Sequence, residues 1–112
     1  MISVVELPEY LRRAKKLLHE EERDQLVNYL ASHPLAGVIL EGTGGIRKLR
    51  WKREGMGKSG GVRVIYYYHN ERCPIFLLTL FGKSEQANVS KAERNTLAKM
   101  IHDLVAGYLF SS

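Results

Sequence analysis

The spacing of apolar residues changes along the chain, and each change marks a new element. A short apolar run over residues 2–5 reads as a strand. Leu7, Tyr10, Leu11, Ala14, Leu17 and Leu18 then recur at helical spacing. Pro8 stands where a first helical residue tolerates the missing N–H. Glu20, Glu21 and Glu22 put negative charge at the start of a second helix, whose apolar face is Leu26, Tyr29 and Leu30. Pro34 ends it, because the residue before a proline is pushed out of helical geometry. The two helices, joined near His19, make a helical hairpin.

Beyond Gly37, Gly42, Gly44 and Gly45 the period falls to two. Residues 46–52, 62–69 and 75–81 read as three strands, the middle one rich in valine, isoleucine and tyrosine. A loop with Gly55, Gly57, Gly60 and Gly61 joins the first pair, and Asn70 to Pro74 form a tight turn in the second. Gly82 ends the last strand. Ser90 and Glu93 have capping-box spacing, and Leu97, Met100, Ile101, Leu104, Val105, Tyr108 and Leu109 stripe a final helix. The pattern predicts one α+β domain over residues 1–112: an N-terminal strand, a helical hairpin, a three-stranded antiparallel meander and a C-terminal helix. The helices are expected on one face of the sheet, with the other face open.

Composition is that of a folded domain, with 45% hydrophobic and 26% charged residues. The start of the chain does not read as a signal peptide, and no apolar run approaches the roughly 18 residues of a membrane span. Cys73, the single cysteine, cannot form an internal disulfide, which points to the reducing cytoplasm. Net charge is +5, and its placement carries the information. Arg47, Lys48, Arg50, Lys52, Arg53, Lys58 and Arg63 face only Glu54 in their window, so the rest of the chain is slightly acidic. Such concentration suits a phosphate-bearing partner as well as it suits a solvated lysine-rich surface.

Strand alternation sorts these charges. Leu49 and Trp51 belong against the helices, which leaves Lys48, Arg50 and Lys52 on the open side. Val62, Val64, Tyr66 and Tyr68 take the covered face, so Arg63, Ile65, Tyr67 and His69 point outward, with Ile65 an imperfect fit. The expected hairpin register sets Arg63 opposite roughly Trp51, flanked by Arg50 and Lys52. Lys83 falls at the same end, and Lys58 in the loop closes over it. Residues two apart on a strand stand about 7 Å from one another, a useful pitch for cations tracking a nucleic-acid backbone. Tyr67 could stack a base there, although covering sheet area is the commoner role for such a tyrosine. The four histidines and Cys73 lack metal-ligand spacing, and Gly57-Lys58-Ser59 lacks the Walker order, so neither metal nor cofactor is expected.

Three segments together resemble a known family. Gly42-Thr43-Gly44-Gly45-Ile46-Arg47-Lys48-Leu49-Arg50 resembles the GTGGLRKLR segment of HigB-type toxins in the RelE superfamily. The run from Lys58 to Tyr67 is similar to their K-x-GG-x-R-V-I-Y-Y strand, and Leu78 to Glu85 to their ending with G-K-x-E. The resemblance implies a RelE-like fold and a toxin of a type II toxin–antitoxin pair that cleaves messenger RNA in the ribosomal A site. In such enzymes the RNA's own 2′-hydroxyl attacks the neighbouring phosphate without a metal. The implied partners are the ribosome, its message and a helix-turn-helix antitoxin of the HigA kind. Carried over, Arg63 clamps the scissile phosphate and Lys83 stabilises the transition state or protonates the leaving group. Lys48, Arg50 and Lys58 position the RNA.

The chain departs from the family at the acid–base residues. Many relatives have an arginine soon after the last strand and a tyrosine or histidine near the C-terminus, whereas Ser84 follows Lys83 here. His69 lies roughly 20 Å along an extended strand from Arg63, and His102 sits beside the apolar stripe as a structural residue. Glu85 is the nearby carboxylate, more readily an ordinary surface or helix-capping acid than a general base, so the general base is unassigned. The alternative is a non-catalytic RNA- or ribosome-binding module using the same face. A third reading is an interaction protein that docks an acidic partner.

Overall fold

Three antiparallel strands form the centre of the sheet: β3 (Ile46–Trp51), β4 (Val62–Tyr67) and β5 (Ile75–Gly82). The computed structural model describes residues 2–52, 61–83 and 88–110. β1 (Val4–Glu6) lies parallel to β5, and a two-residue strand, β2 (Val38–Ile39), pairs with β3 on the far side. The spatial order is β1-β5-β4-β3-β2. β2 was not expected. It is too short to show alternation, and Val38 and Ile39 are both exposed, so no periodic signal marks it.

The helices start where their capping chemistry dictates. α1 (Pro8–Leu17) has proline at its first position. α2 (Glu20–Ser32) begins with the backbone N–H of His19 donating to the Glu22 carboxylate at 3.0 Å. α3 (Lys91–Phe110) opens on the reciprocal pair of Ser90 and Glu93, each backbone N–H donating to the other's side chain at 3.1 Å. Among the described residues no helix is long and apolar enough to cross a membrane.

The sheet has a core on each face. Tyr10, Ala14, Leu26 and Leu30 of α1 and α2 pack on Leu49, Val62, Val64, Tyr66, Leu77 and Leu80. On the opposite face Ile101, Leu97, Met100, Leu104 and Val105 of α3 pack on Ile46, Ile65, Tyr67, Phe76, Leu78 and Phe81. The expectation of one open face is therefore corrected: α3 lies across most of it. The reason is energetic. Burying a large apolar side chain contributes about 1.5–3 kcal/mol, so leaving Ile65, Phe76, Leu78 and Phe81 bare would forfeit most of a domain's net stability of about 5–15 kcal/mol. Seven of the eight residues of β5 are buried, and a strand buried on both faces needs cover on both.

A bulge sets the phase of β5. Ile65 pairs with Thr79 but Tyr66 pairs with Leu77, so Leu78 is an extra residue. Beyond it Leu80 joins the α1/α2 core while Phe81 turns to the α3 side, as the partner of Arg63. At the other end Tyr66 ties down the connection from α2 to β2. Its hydroxyl accepts from Gly37 N–H and donates to the Pro34 carbonyl, both at 2.8 Å. A Cβ on Gly37 would stand 2.9 Å from the Tyr66 ring and 3.0 Å from the Lys48 carbonyl oxygen, so only glycine fits there.

Candidate functional site

The cationic end of the sheet begins with the turn that starts β3. Gly42, Gly44 and Gly45 have positive φ, and the buried Thr43 fixes the turn between them. Its hydroxyl donates to the Leu40 carbonyl at 2.6 Å and accepts from Ile46 N–H at 3.1 Å. With Ile46 thus pinned in the core, alternation along β3 sends Lys48 and Arg50 to the α3 side and Leu49 to the α1/α2 core.

Pairing then gathers the cations. Arg50 is the direct cross-strand partner of Arg63, and Arg63 is the partner of Phe81. The expected register, with Arg63 opposite Trp51, is therefore off by one residue; Trp51 pairs with Val62. The correction sharpens the grouping, since directly opposed residues share a face with Cβ atoms about 4.5–5.5 Å apart. Lys83 follows β5, with its backbone N–H donating to the Gly61 carbonyl at 3.3 Å, which keeps it at the same end. A Cβ on Gly61 would lie 3.8 Å from Arg63 Nη1, so the guanidinium sits against that glycine. Arg50 and Lys83 are exposed and Arg63 is half-buried. Among the described residues none of the three forms an ion pair with a carboxylate.

Other sequence candidates fall in different places. Lys48 pairs with Ile65, one step toward α3, and its Nζ donates to Asn88 Oδ1 at 3.1 Å. Arg47 faces the other way and binds the Gly37 carbonyl at 2.7 Å and the Leu35 carbonyl at 3.4 Å, a structural role for a cation counted above in the basic window. Lys58 and Glu85 lie outside the described residues. Tyr67 is corrected: its ring is 5% exposed, enclosed by α3 and the Gly45 turn, and cannot offer a face to a base. Its hydroxyl bonds His69 Nδ1 at 3.0 Å, and burial pushes its pKa above the ordinary tyrosine value. His102 is exposed beside Asp103. Among the described residues no three His, Cys, Asp or Glu side chains gather as metal ligands.

Two features escaped the sequence reading. Asn88 is one, recognisable only from its acceptance of the Lys48 Nζ bond. The other is an aromatic group, Tyr29, His33 and Trp51, on the α2 side of β3. Tyr29 was read as part of a buried helical face, yet it is 38% exposed. Its i, i+4 spacing with His33 was the available signal.

Two arginines and a lysine at one sheet end bring three positive charges together, with no carboxylate paired to them among the described residues. Guanidinium binds phosphate bidentately and stays charged, and lysine adds a mobile point charge. Two comparisons with known proteins bear on the fold and the family. A structure of the E. coli toxin RelE, a mutant with two arginines changed to alanine, in the free state, superposes with a TM-score of 0.57. It shares 18% identity over 88% of this chain and 95% of that one, so the likeness is one of fold. A family model described as the RelE toxin of the RelE/RelB toxin–antitoxin system matches residues 10–108, nearly the whole chain. The chain therefore belongs to the RelE toxin family and is a toxin of a toxin–antitoxin system.

Proposed function

We propose that this toxin is an endoribonuclease that cuts messenger RNA in the ribosomal A site, as its HigB-like segments suggest. The observation that carries the reading is the direct opposition of Arg50 and Arg63 with Lys83 beside them. Like charges directly opposed across strands are destabilising, and an anion bound between them removes that penalty. A scissile phosphate is such an anion.

In this mechanism the ribose 2′-oxygen attacks phosphorus and the bond to the 5′-oxygen breaks. The products are a 2′,3′-cyclic phosphate and a 5′-hydroxyl. Negative charge on the phosphate grows toward the transition state, so fixed cations lower the barrier more than they tighten ground-state binding. Arg63 holds the phosphate, and Lys83 stabilises the developing charge or protonates the departing oxygen. Arg50 and Lys48 hold the neighbouring backbone, with Lys58 from the loop. Orientation of the attacking oxygen supplies much of the remaining rate, and no metal takes part. The antitoxin is a helix-turn-helix protein of the HigA kind, and the compartment is the cytoplasm.

Toxin added to translating ribosomes should cut the message. Arg63→Ala should slow cutting by about 10²–10³-fold, the usual effect of removing one preorganised charge-stabilising donor, without changing the circular dichroism spectrum. Intact transcripts with folded wild-type toxin, alongside salt-sensitive RNA binding, would replace this reading with a non-catalytic RNA- or ribosome-binding module.

A further inference from the structure

On the α2 side of the same sheet end lies a second surface with the chemistry of a base-stacking platform. Tyr29 and His33 stack with ring centroids 4.6 Å apart and planes 18° from parallel. Trp51 leans on Tyr29 at 5.6 Å. His33 Nδ1 donates to the Tyr29 carbonyl at 3.2 Å, which fixes the imidazole against the phenol ring. Trp51 is anchored at the edge of the core and half-buried, while Tyr29 and His33 stay exposed. A clamp serving only to fasten α2 to β3 would gain by burying these rings.

Position links this patch to the cations. β2 pairs with β3 only at Arg47 and Lys48, so from Leu49 to Trp51 the outer edge of β3 has no strand beside it among the described residues. Arg50 projects on one side of this bare edge, and the neighbouring Trp51 on the other. The backbone oxygen of Trp51 packs 3.4 Å from a Cβ position on Gly61, which in turn meets Arg63. Charge selects the occupant. Neither residues 25–39 nor residues 42–53 contain an acidic side chain, while Arg47, Lys48, Arg50 and Lys52 fall among them. Exposed rings on one side of a bare edge, with Lys48 and Arg50 on the other side of the same edge, suit single-stranded nucleic acid, whose bases stack and whose phosphates need cations.

We infer that Tyr29, His33 and Trp51 stack a base of the single-stranded RNA a few nucleotides from the phosphate held by Arg50 and Arg63, the strand rounding the bare edge of β3. This rests on the RNA-cleaving reading but is tested separately. Trp51 is the chain's single tryptophan, so intrinsic fluorescence reports this patch alone. The probe is an oligoadenylate with 2′-O-methyl groups, which cannot be cut through its own hydroxyl. It should quench Trp51 emission saturably in the full-length toxin, whereas an abasic ribose-phosphate oligomer should bind without quenching. Tyr29→Leu keeps an apolar cover over Trp51 and should weaken binding about tenfold, within the range for losing one base stack. Tyr29→Phe should restore it. Should Tyr29→Leu fail to fold, His33→Ala, at an exposed position, should weaken binding in the same direction.

Oligoadenylate binding seen by anisotropy with neither quenching nor sensitivity to Tyr29→Leu overturns the platform and leaves the nuclease reading standing. Quenching by the oligomer without any cutting of ribosome-bound message supports the platform and overturns the nuclease. A concentration-dependent shift of Trp51 emission in RNA-free toxin would mean that a second copy covers the rings, and overturns the inference as well.

Discussion

If the Arg50–Arg63 pair is held for an anion, neutralising either member should make the free protein more stable. The two Cα atoms are direct partners across β3 and β4, with Arg50 exposed and Arg63 half-buried. Taking the guanidinium groups about 7 Å apart in a water-like dielectric, Coulomb's law gives a repulsion of about 0.6 kcal/mol. Measured cross-strand effects of about 0.2–1 kcal/mol bracket that figure. Arg63→Gln keeps the stem as far as Cδ and removes the charge, together with the Nη1 atom that lies against Gly61. It should raise stability by about 0.6 kcal/mol, which for a chain of this size raises Tm by about 2–5 °C. Arg50→Gln should do the same. The double variant should gain little more than either single one, because one repulsion is being removed once. Thermal melts at low and high salt are the assay, since the Debye length falls from about 10 Å at 0.1 M to about 3 Å at 1 M. The gain should fade at the higher salt. Phosphate or an oligonucleotide should stabilise wild type more than either variant, reversing the order. A gain indifferent to salt, or strictly additive between the two sites, would refute the repulsion and remove the strongest support for an anion site here.

Two further outcomes follow from the tyrosines. Tyr66→Phe leaves the Gly37 N–H and the Pro34 carbonyl without their partner and should cost about 1–3 kcal/mol in urea unfolding; a loss under about 0.5 kcal/mol would mean that water replaces the hydroxyl. Burial raises the pKa of Tyr10, Tyr66 and Tyr67 above the ordinary value of about 10. Their native forms hold protons that the unfolded chain releases, so their contribution is complete below about pH 10 and is lost as pH climbs toward the raised values. Tyrosinate absorbance from these three should therefore appear only together with unfolding; their ionisation in protein that stays folded would contradict the burial.

The helix starts, the three meander strands and the face of each residue on β3 and β4 were legible in the sequence, because caps and alternation are local. Pro8, Glu22 and the Ser90–Glu93 pair each act within one helical turn. Leu49 and Val64 declare a buried face without reference to anything distant. Ile65 was the residue that did not fit, and it carried the missing information: an apolar side chain on the supposedly open face requires a second cover. Together with the apolar run of β5, interrupted only by Thr79, it could have placed α3, and so have removed Tyr67 from the candidate site.

What the chain's pattern determined by itself was which residues alternate together, and hence that Lys48, Arg50 and Arg63 share a side of the sheet. Tertiary structure alone decided how far those strands slide past one another, where the bulge at Leu78 turns Phe81 toward Arg63, and which part of the cationic side α3 leaves uncovered. It also decided that Tyr29 and Trp51 meet across α2 and β3. The physical reason is range: alternation and capping are fixed by neighbours along the chain, whereas register and cover are fixed by burying apolar area among segments the sequence keeps far apart.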